Sequence, residues 1–538
     1  MEEEYHNKFQ IQSKMEKVEL NLLSEDRTNF KLSLRKKKYD DILAKKRNIP
    51  KKSDSSSRPY ELLLSKLKLP PNYKIIFSKD DELISTALKN MKSNIIDEVI
   101  YGVCLIKNYL DNFLDDNSVL NRLNLNFVSD MLNLLEKWCE KRHLTIIYNI
   151  LYILTDYSFL NENITISKIL LSSKGYRIWE LCFDLQDYEI MYQMVWILQN
   201  ITYKDSESTY NLIKSNFFKN KILYFYNNGT ILQHLNEKNP ENIFYLIIQS
   251  GLGLFSNLIS IQFPSTYDAM EKNKLIVPVF DLVLKYSQSN NEKIYHTCIY
   301  AIALAVEEEL NFVNKIDNNN NNGVNIIYDI LNKKFFSNEN LVLQANRILG
   351  NYISNKSGLS EEFFNQCIQY EFDIFFGIKS TIAKRETYWV LSNILADYQK
   401  AGFIICLNEP FINQTFNKYQ NTVDMDDLYN IVYFLNCLIH KCGIENFIKI
   451  QDKGIVDITM KYTKMTFNSP KTLITIFELI ESLLSIGDSV RDNFMGRNLI
   501  KEKCDECGLE GVLEKYEDSN NEVLFDIIDK IKINYYIE

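Results

Sequence analysis

Apolar residues recur along this chain at the spacing of one helical face, segment after segment. Ile146-Ile-Tyr-Asn-Ile-Leu-Tyr-Ile-Leu154 and Thr472-Leu-Ile-Thr-Ile-Phe-Glu-Leu-Ile480 are two examples, and their period predicts packed α-helices. From about residue 80 to the end, such segments follow one another with short polar breaks between them. Gly (16) and Pro (9) are scarce in 538 residues, too few of the turn formers that an all-β chain needs. The expectation is an all-α fold.

A shorter pattern repeats inside these helices: one bulky residue, three residues, then Asn or a close relative. It occurs as Tyr152-Ile-Leu-Thr-Asp156, Trp196-Ile-Leu-Gln-Asn200, Gly253-Leu-Phe-Ser-Asn257, Arg347-Ile-Leu-Gly-Asn351, Trp389-Val-Leu-Ser-Asn393 and Val432-Tyr-Phe-Leu-Asn436. Tyr300-Ala-Ile-Ala-Leu304 and Glu478-Leu-Ile-Glu-Ser482 are weaker copies. Their closing residues stand 44, 57, 47, 47, 42, 43 and 46 residues apart. Apart from the 57-residue step, this is the period of armadillo or HEAT units, roughly 40–47 residues of two or three helices. Asn227-Asn-Gly229 and Asn239-Pro240 fall in the long step and predict an insertion there. Residues 81–538 are therefore expected to form an α-solenoid of about ten armadillo-type repeats.

Positions i and i+4 share a helix face, so each pair presents its two side chains together. Stacked repeats line these faces up along the concave surface of a superhelix. An indole gives a flat wall for the stem of a Lys or Arg and attracts its charge. The Asn amide offers a donor and an acceptor to an extended peptide backbone. Taken singly, Trp196 and Trp389 would be ordinary core residues. The Asn four residues later, at a fixed period, favours a binding role, because Asn in an apolar helix is unfavourable without one.

Composition is that of a soluble globular chain, with 46% apolar and 24% charged residues. No apolar run reaches the ~18–20 residues that cross a bilayer, and Met1-Glu-Glu-Glu-Tyr5 does not begin a signal peptide. Ten scattered cysteines, seven of them in apolar helical contexts (Cys104, Cys139, Cys182, Cys298, Cys367, Cys406 and Cys437), are expected to be reduced core thiols of an intracellular protein. Charge is uneven. Between Arg27 and Arg58, 12 Lys/Arg face 3 Asp/Glu, a local +9 within a chain of net charge −9 that leaves −18 for the remainder. A basic arm on an acidic body binds an acidic partner, folds back on its own body, or does both. Residues 1–50 form this arm, helical from near Phe30 to Arg47, and residues 51–80 form a linker that opens with the flexible composition Lys51-Lys-Ser-Asp-Ser-Ser-Ser-Arg-Pro59. Asn318–Asn322 is expected to be a loop insertion.

The motifs in this order resemble importin-α, the armadillo-repeat adaptor of nuclear import. Leu34 to Ile49 is similar, without a gap, to the end of that family's importin-β-binding segment. Arg347 stands where the family's fifth repeat carries Arg in place of Trp, and Lys384-Arg-Glu-Thr-Tyr-Trp-Val-Leu-Ser-Asn393 resembles its sixth repeat. Cys507-Gly-Leu-Glu510 to Ile533-Asn-Tyr-Tyr536 is similar to its last repeat. The resemblance implies a right-handed solenoid shuttling between cytoplasm and nucleus. It implies cargo binding at Trp196, Asn200, Asn257, Arg347, Asn351, Glu386, Trp389, Asn393 and Asn436. Importin-β would be held by Arg27, Lys31, Arg35, Lys36 and Lys38, and Lys45-Lys46-Arg47 would occupy the groove when the arm is free. The implied partners are importin-β, cargo with basic nuclear localisation signals, and a nuclear export receptor. The chain departs from the family at Tyr152/Asp156 and Gly253, where two of three principal-groove Trp residues are missing, and at Val432. The arginines before the arm's core are reduced to Arg27. It resembles a divergent member, and the alternative is an armadillo scaffold for other protein partners.

Other chemistry is weak. Cys504-Asp-Glu-Cys507 lacks the second ligand pair that a structural zinc needs. His6, His143, His234, His296 and His440 form no metal or catalytic pattern, and no phosphate loop or nucleophile elbow occurs. The arm has only Phe30 and Tyr39 for base stacking, and the acidic body would repel phosphate. No enzyme activity, cofactor, metal, nucleic acid or membrane is expected.

Overall fold

The computed structural model describes residues 67–536 apart from short stretches, the longest of which are 74–80, 114–122, 261–268 and 317–325. The chain divides at residue 62 into two units. The expected arm, with Arg27, Lys31, Arg35, Lys36, Lys38, Lys45, Lys46 and Arg47, lies outside the described residues, as does the Asn318–Asn322 run.

Within the unit from Leu63, long helices recur at the repeat period. They are α1 (Ile96–Phe113), α2 (Leu144–Leu160), α3 (Tyr188–Lys204), α4 (Ile243–Ile259), α5 (Glu292–Glu308), α6 (Glu339–Asn355), α7 (Thr381–Asp397), α8 (Met425–Ile439), α9 (Pro470–Ser489) and α10 (Glu522–Tyr535). Each packs on the next in chain order, from α1 on α2 to α9 on α10, so they form one ladder. Two shorter helices precede several of them: Ile164–Leu170 and Ser173–Phe183 before α3, Ile444–Asp452 and Ile455–Thr463 before α9, Leu499–Glu506 and Leu509–Tyr516 before α10. Among the described residues there is no strand. The fold is an all-α repeat solenoid, with a three-helix armadillo-type unit where all three helices are present.

Local sequence starts and stops these helices. Asp187, Asn242, Asn338, Ser380, Asp424 and Asn521 cap α3, α4, α6, α7, α8 and α10, each side-chain oxygen accepting from a first-turn N–H. Each such cap contributes about 1 kcal/mol. Gly454 and Gly508 take φ of 81° and 82° at the turn between two short helices, a left-handed conformation that glycine adopts without a Cβ clash. The 57-residue step is filled by Ser206–Lys214, a π-helical turn Phe218–Leu223 running into Tyr224–Asn227, and a further short helix Gly229–Gln233 capped by Asn228.

The core lies between the ladder and the shorter helices. Trp138 and Trp179 are fully buried there, the Trp179 indole donating to the Leu170 carbonyl at 2.8 Å. Every cysteine is free. Cys139, Cys182, Cys298 and Cys367 are buried as expected, and the Cys139 and Cys182 thiols touch at 3.5 Å. Cys104, Cys406 and Cys437 are only half-buried, whereas Cys442 and Cys504 are buried. An apolar neighbourhood in sequence does not say which way a given helix position points.

Candidate functional site

The repeated motif falls at one register on consecutive ladder helices, from Tyr152/Asp156 on α2 to Glu478/Ser482 on α9. Trp196 and Trp389 are half-buried, unlike the two core tryptophans. Their indoles belong to the ladder surface.

The recurrent Asn has a structural task. Asn200 Nδ2 donates to the Thr155 carbonyl at 3.2 Å and to Ser158 Oγ at 3.3 Å. Asn257 Nδ2 donates to the Gln199 carbonyl at 2.8 Å and to Thr202 Oγ1 at 3.2 Å. Asn393 Nδ2 donates to the Gly350 carbonyl at 3.0 Å. Each acceptor carbonyl belongs to the residue just before the motif's closing position on the preceding ladder helix. The amides thus clamp neighbouring repeats together. Asn351 Nδ2 also donates to the Arg347 carbonyl of its own helix at 2.9 Å, and Asn436 Oδ1 is buried without a partner among the described residues.

At three places the residue just before the closing position also meets the next wall. Lys107, one position before Asn108 on α1, places Nζ 4.4 Å from the centre of the Tyr152 ring and 3.2 Å from Asn149 Oδ1. Gln199 lies across Gly253, where an added Cβ would overlap the Gln199 amide. At Gly350 the relation is reversed, because a Cβ there would overlap the Trp389 ring. Wall and neighbour are complementary in size: large over small at Gly253, small under large at Trp389.

Beside Trp389, Glu386 Oε1 lies 3.7 Å from Arg347 Nη2, both side chains about four-fifths buried (18% and 19% exposed). Glu386 therefore faces a guanidinium of its own chain as well as the ladder surface. Behind this pair, Glu371 of helix Glu361–Gly377 is fully buried, and Asn346 Nδ2 donates to its Oε2 at 3.2 Å. Burial pushes the Glu371 carboxyl well above its ordinary range, and the Glu386 charge adds to the rise.

No family model matches the sequence, and no curated relative is found for it. Among solved structures, an engineered protein from a structural genomics consortium is similar at a TM-score of 0.61 and 13% identity, covering 85% of this chain and 98% of that one. The protein is a helical-repeat solenoid. A designed armadillo repeat protein is similar over 46% of this chain and 97% of its own at 12% identity, with a TM-score of 0.36. A structure described as a phosphorylation switch controlling the interaction between cadherin and beta-catenin is similar over 85% and 94% at 10% identity, with a TM-score of 0.44. These two lower scores carry no argument.

The solenoid also contains sites that sequence reasoning passed over. Arg385 on α7 binds three carboxylates at the start of α8: Asp427 at 2.8 Å, Asp426 at 2.9 Å and Asp424 at 3.1 Å. Lys418 adds a second cation to Asp427 at 3.0 Å. Lys107, Asn149, Gln199, Gly350, Arg385 and Glu371 were all missed. For Lys107 a signal existed: Cys104…Asn108 stands 48 residues before Tyr152…Asp156, a further copy of the motif. Among the described residues, no group of three or more His, Cys, Asp and Glu could hold a metal ion, and no helix is long and apolar enough to cross a membrane.

Proposed function

We propose that the solenoid binds extended, Lys/Arg-rich peptides along its ladder and works as a nuclear import adaptor. The observation that carries the reading is the Trp389 site. A half-buried indole stands next to a carboxylate, Glu386, and to the clamped amide of Asn393, on a body (residues 81–538) whose net charge is −16. A cation over an indole gains about 0.5–2 kcal/mol. In this reading importin-β captures the arm through Arg27, Lys31, Arg35, Lys36 and Lys38, which withdraws Lys45-Lys46-Arg47 from the ladder. Cargo and importin-β then bind with positive coupling.

Two measurements test it. In a fluorescence titration of the full-length protein with a basic import peptide, Trp389→Ala weakens binding by about 2- to 30-fold. Trp196→Ala weakens it less, because its motif has no carboxylate in the place of Glu386; the opposite order contradicts the reading. In a pull-down, reversing Arg35 and Lys36 to Glu abolishes capture of importin-β, and capture at unchanged affinity would assign the arm another partner. One observation favours the second reading, a scaffold for other proteins: Lys107 covers Tyr152 and Gln199 fills the place over Gly253. Failure to bind any basic peptide would decide for that scaffold.

A further inference from the structure

Building on the ladder's reading as a basic-peptide groove, we infer that Tyr152 and Asn149 form a lysine-binding subsite whose resident occupant is Lys107. The occupant closes the first wall of the ladder to the lysine of a ligand. The geometry is that of a bound ammonium. Nζ stands 4.4 Å over the ring centre and 3.2 Å from Asn149 Oδ1. Asn149 is fully buried and its Nδ2 donates to the Thr145 carbonyl at 2.8 Å, which turns Oδ1 toward the ammonium. Asp156, one turn beyond Tyr152 on α2, is 8% exposed and brings a carboxylate to the same helix face. An aromatic face, an oriented amide oxygen and a nearby carboxylate are what a peptide lysine needs.

Lys107 arrives there because of its register. It precedes Asn108 as Gln199 precedes Asn200 and Gly350 precedes Asn351, and the side chain at this position meets the next wall. A glycine leaves the Trp389 indole room, a glutamine occupies the space over Gly253, and a lysine caps Tyr152 with a cation. Occupancy of these three walls is thus written one repeat earlier in the chain. Ser256 and Ser392 stand at the same register, so Lys107→Ser brings in a residue that the ladder already carries there.

The test uses the full-length protein and a fluorescein-labelled hexalysine peptide, read by anisotropy. Lys107→Ala and Lys107→Ser open the subsite and bind the peptide about three- to tenfold tighter than the unaltered chain. The gain disappears when Tyr152→Leu is added to Lys107→Ala. Removing one positive charge would by itself favour a basic ligand, so an equal gain in that double variant overturns the inference. Unchanged or weaker binding by both single variants, each checked for folding by its thermal melt, overturns it too while Trp389→Ala still weakens the peptide. No binding by any of the proteins, unaltered chain included, would instead fell the basic-peptide reading and the inference with it.

Discussion

Glu371 has its carboxyl pKa raised because the fold leaves it no solvent. In the unfolded chain its pKa is about 4.3, and in the folded protein burial holds it well above that. Between these two values the folded state binds one proton more than the unfolded state. Stability is therefore complete below the unfolded pKa and falls by about 1.4 kcal/mol per pH unit as pH rises toward the folded pKa. Glu371→Gln keeps a neutral partner for Asn346 and removes this slope. The variant and the unaltered protein should melt alike near pH 4, with the variant's Tm higher at pH 8; equal melts at both would show that Glu371 is not held protonated. Asn393 is the second residue whose role can be measured. Its Nδ2 bond to the Gly350 carbonyl ties α7 to α6, and Asn393→Ala should cost about 1 kcal/mol in denaturant unfolding. Loss of peptide binding without any loss of stability would make the Asn a ligand residue alone.

Between neighbouring helices, Arg385 makes a threefold polar tie from α7 to the start of α8. Its side chain is 13% exposed and reaches Asp424, Asp426 and Asp427 together. A lysine is a point donor and cannot span three carboxylates, so Arg385→Lys should lower stability by about 2 kcal/mol. Burial raises the Asp424 pKa, but the Asp427 N–H and Arg385 outweigh it and hold the carboxyl below its ordinary range. The stability it contributes is therefore present above its unfolded pKa and lost as pH falls through the folded one. Thermal melts from neutral pH downward should show a gentler acid decline for Arg385→Lys than for the unaltered protein. The size complementarity of walls makes another prediction. Gly253→Trp alone collides with Gln199 and should destabilise by about 1–3 kcal/mol. Adding Gln199→Gly reproduces the Gly350/Trp389 arrangement and should restore the Tm. A double variant no more stable than the single one would refute the pairing of these positions.

At the scale of the whole molecule, the acidic body sets how a basic partner arrives. Over residues 81–538 the net charge is −16, and exposed ion pairs are screened over about 8–10 Å at physiological salt. Binding of the hexalysine peptide should weaken steeply between about 50 and 300 mM salt, whereas the solenoid's own melt should rise slightly as self-repulsion is screened. Salt-independent peptide affinity would mean that the apolar walls alone hold the ligand.

The period of the apolar positions was enough to determine the helical class, and the spacing of Trp196/Asn200, Trp389/Asn393 and their relatives was enough to place them at one register. Both are local properties: a helix face is set by residues three and four apart, and a repeat must bury the same face against each neighbour. What stands across from each motif was not legible, because it belongs to a helix some 45 residues away. The recurrent Asn was visible in the sequence, but the carbonyl it clamps was not. Glu386 was visible beside Trp389, whereas its pairing with Arg347 depends on how α6 lies against α7. Gly253 reads as a lost wall in the sequence, whereas in the fold Gln199 fills the space. The sequence determined which residues share a face, and the stacking of one repeat on the next decided what that face meets.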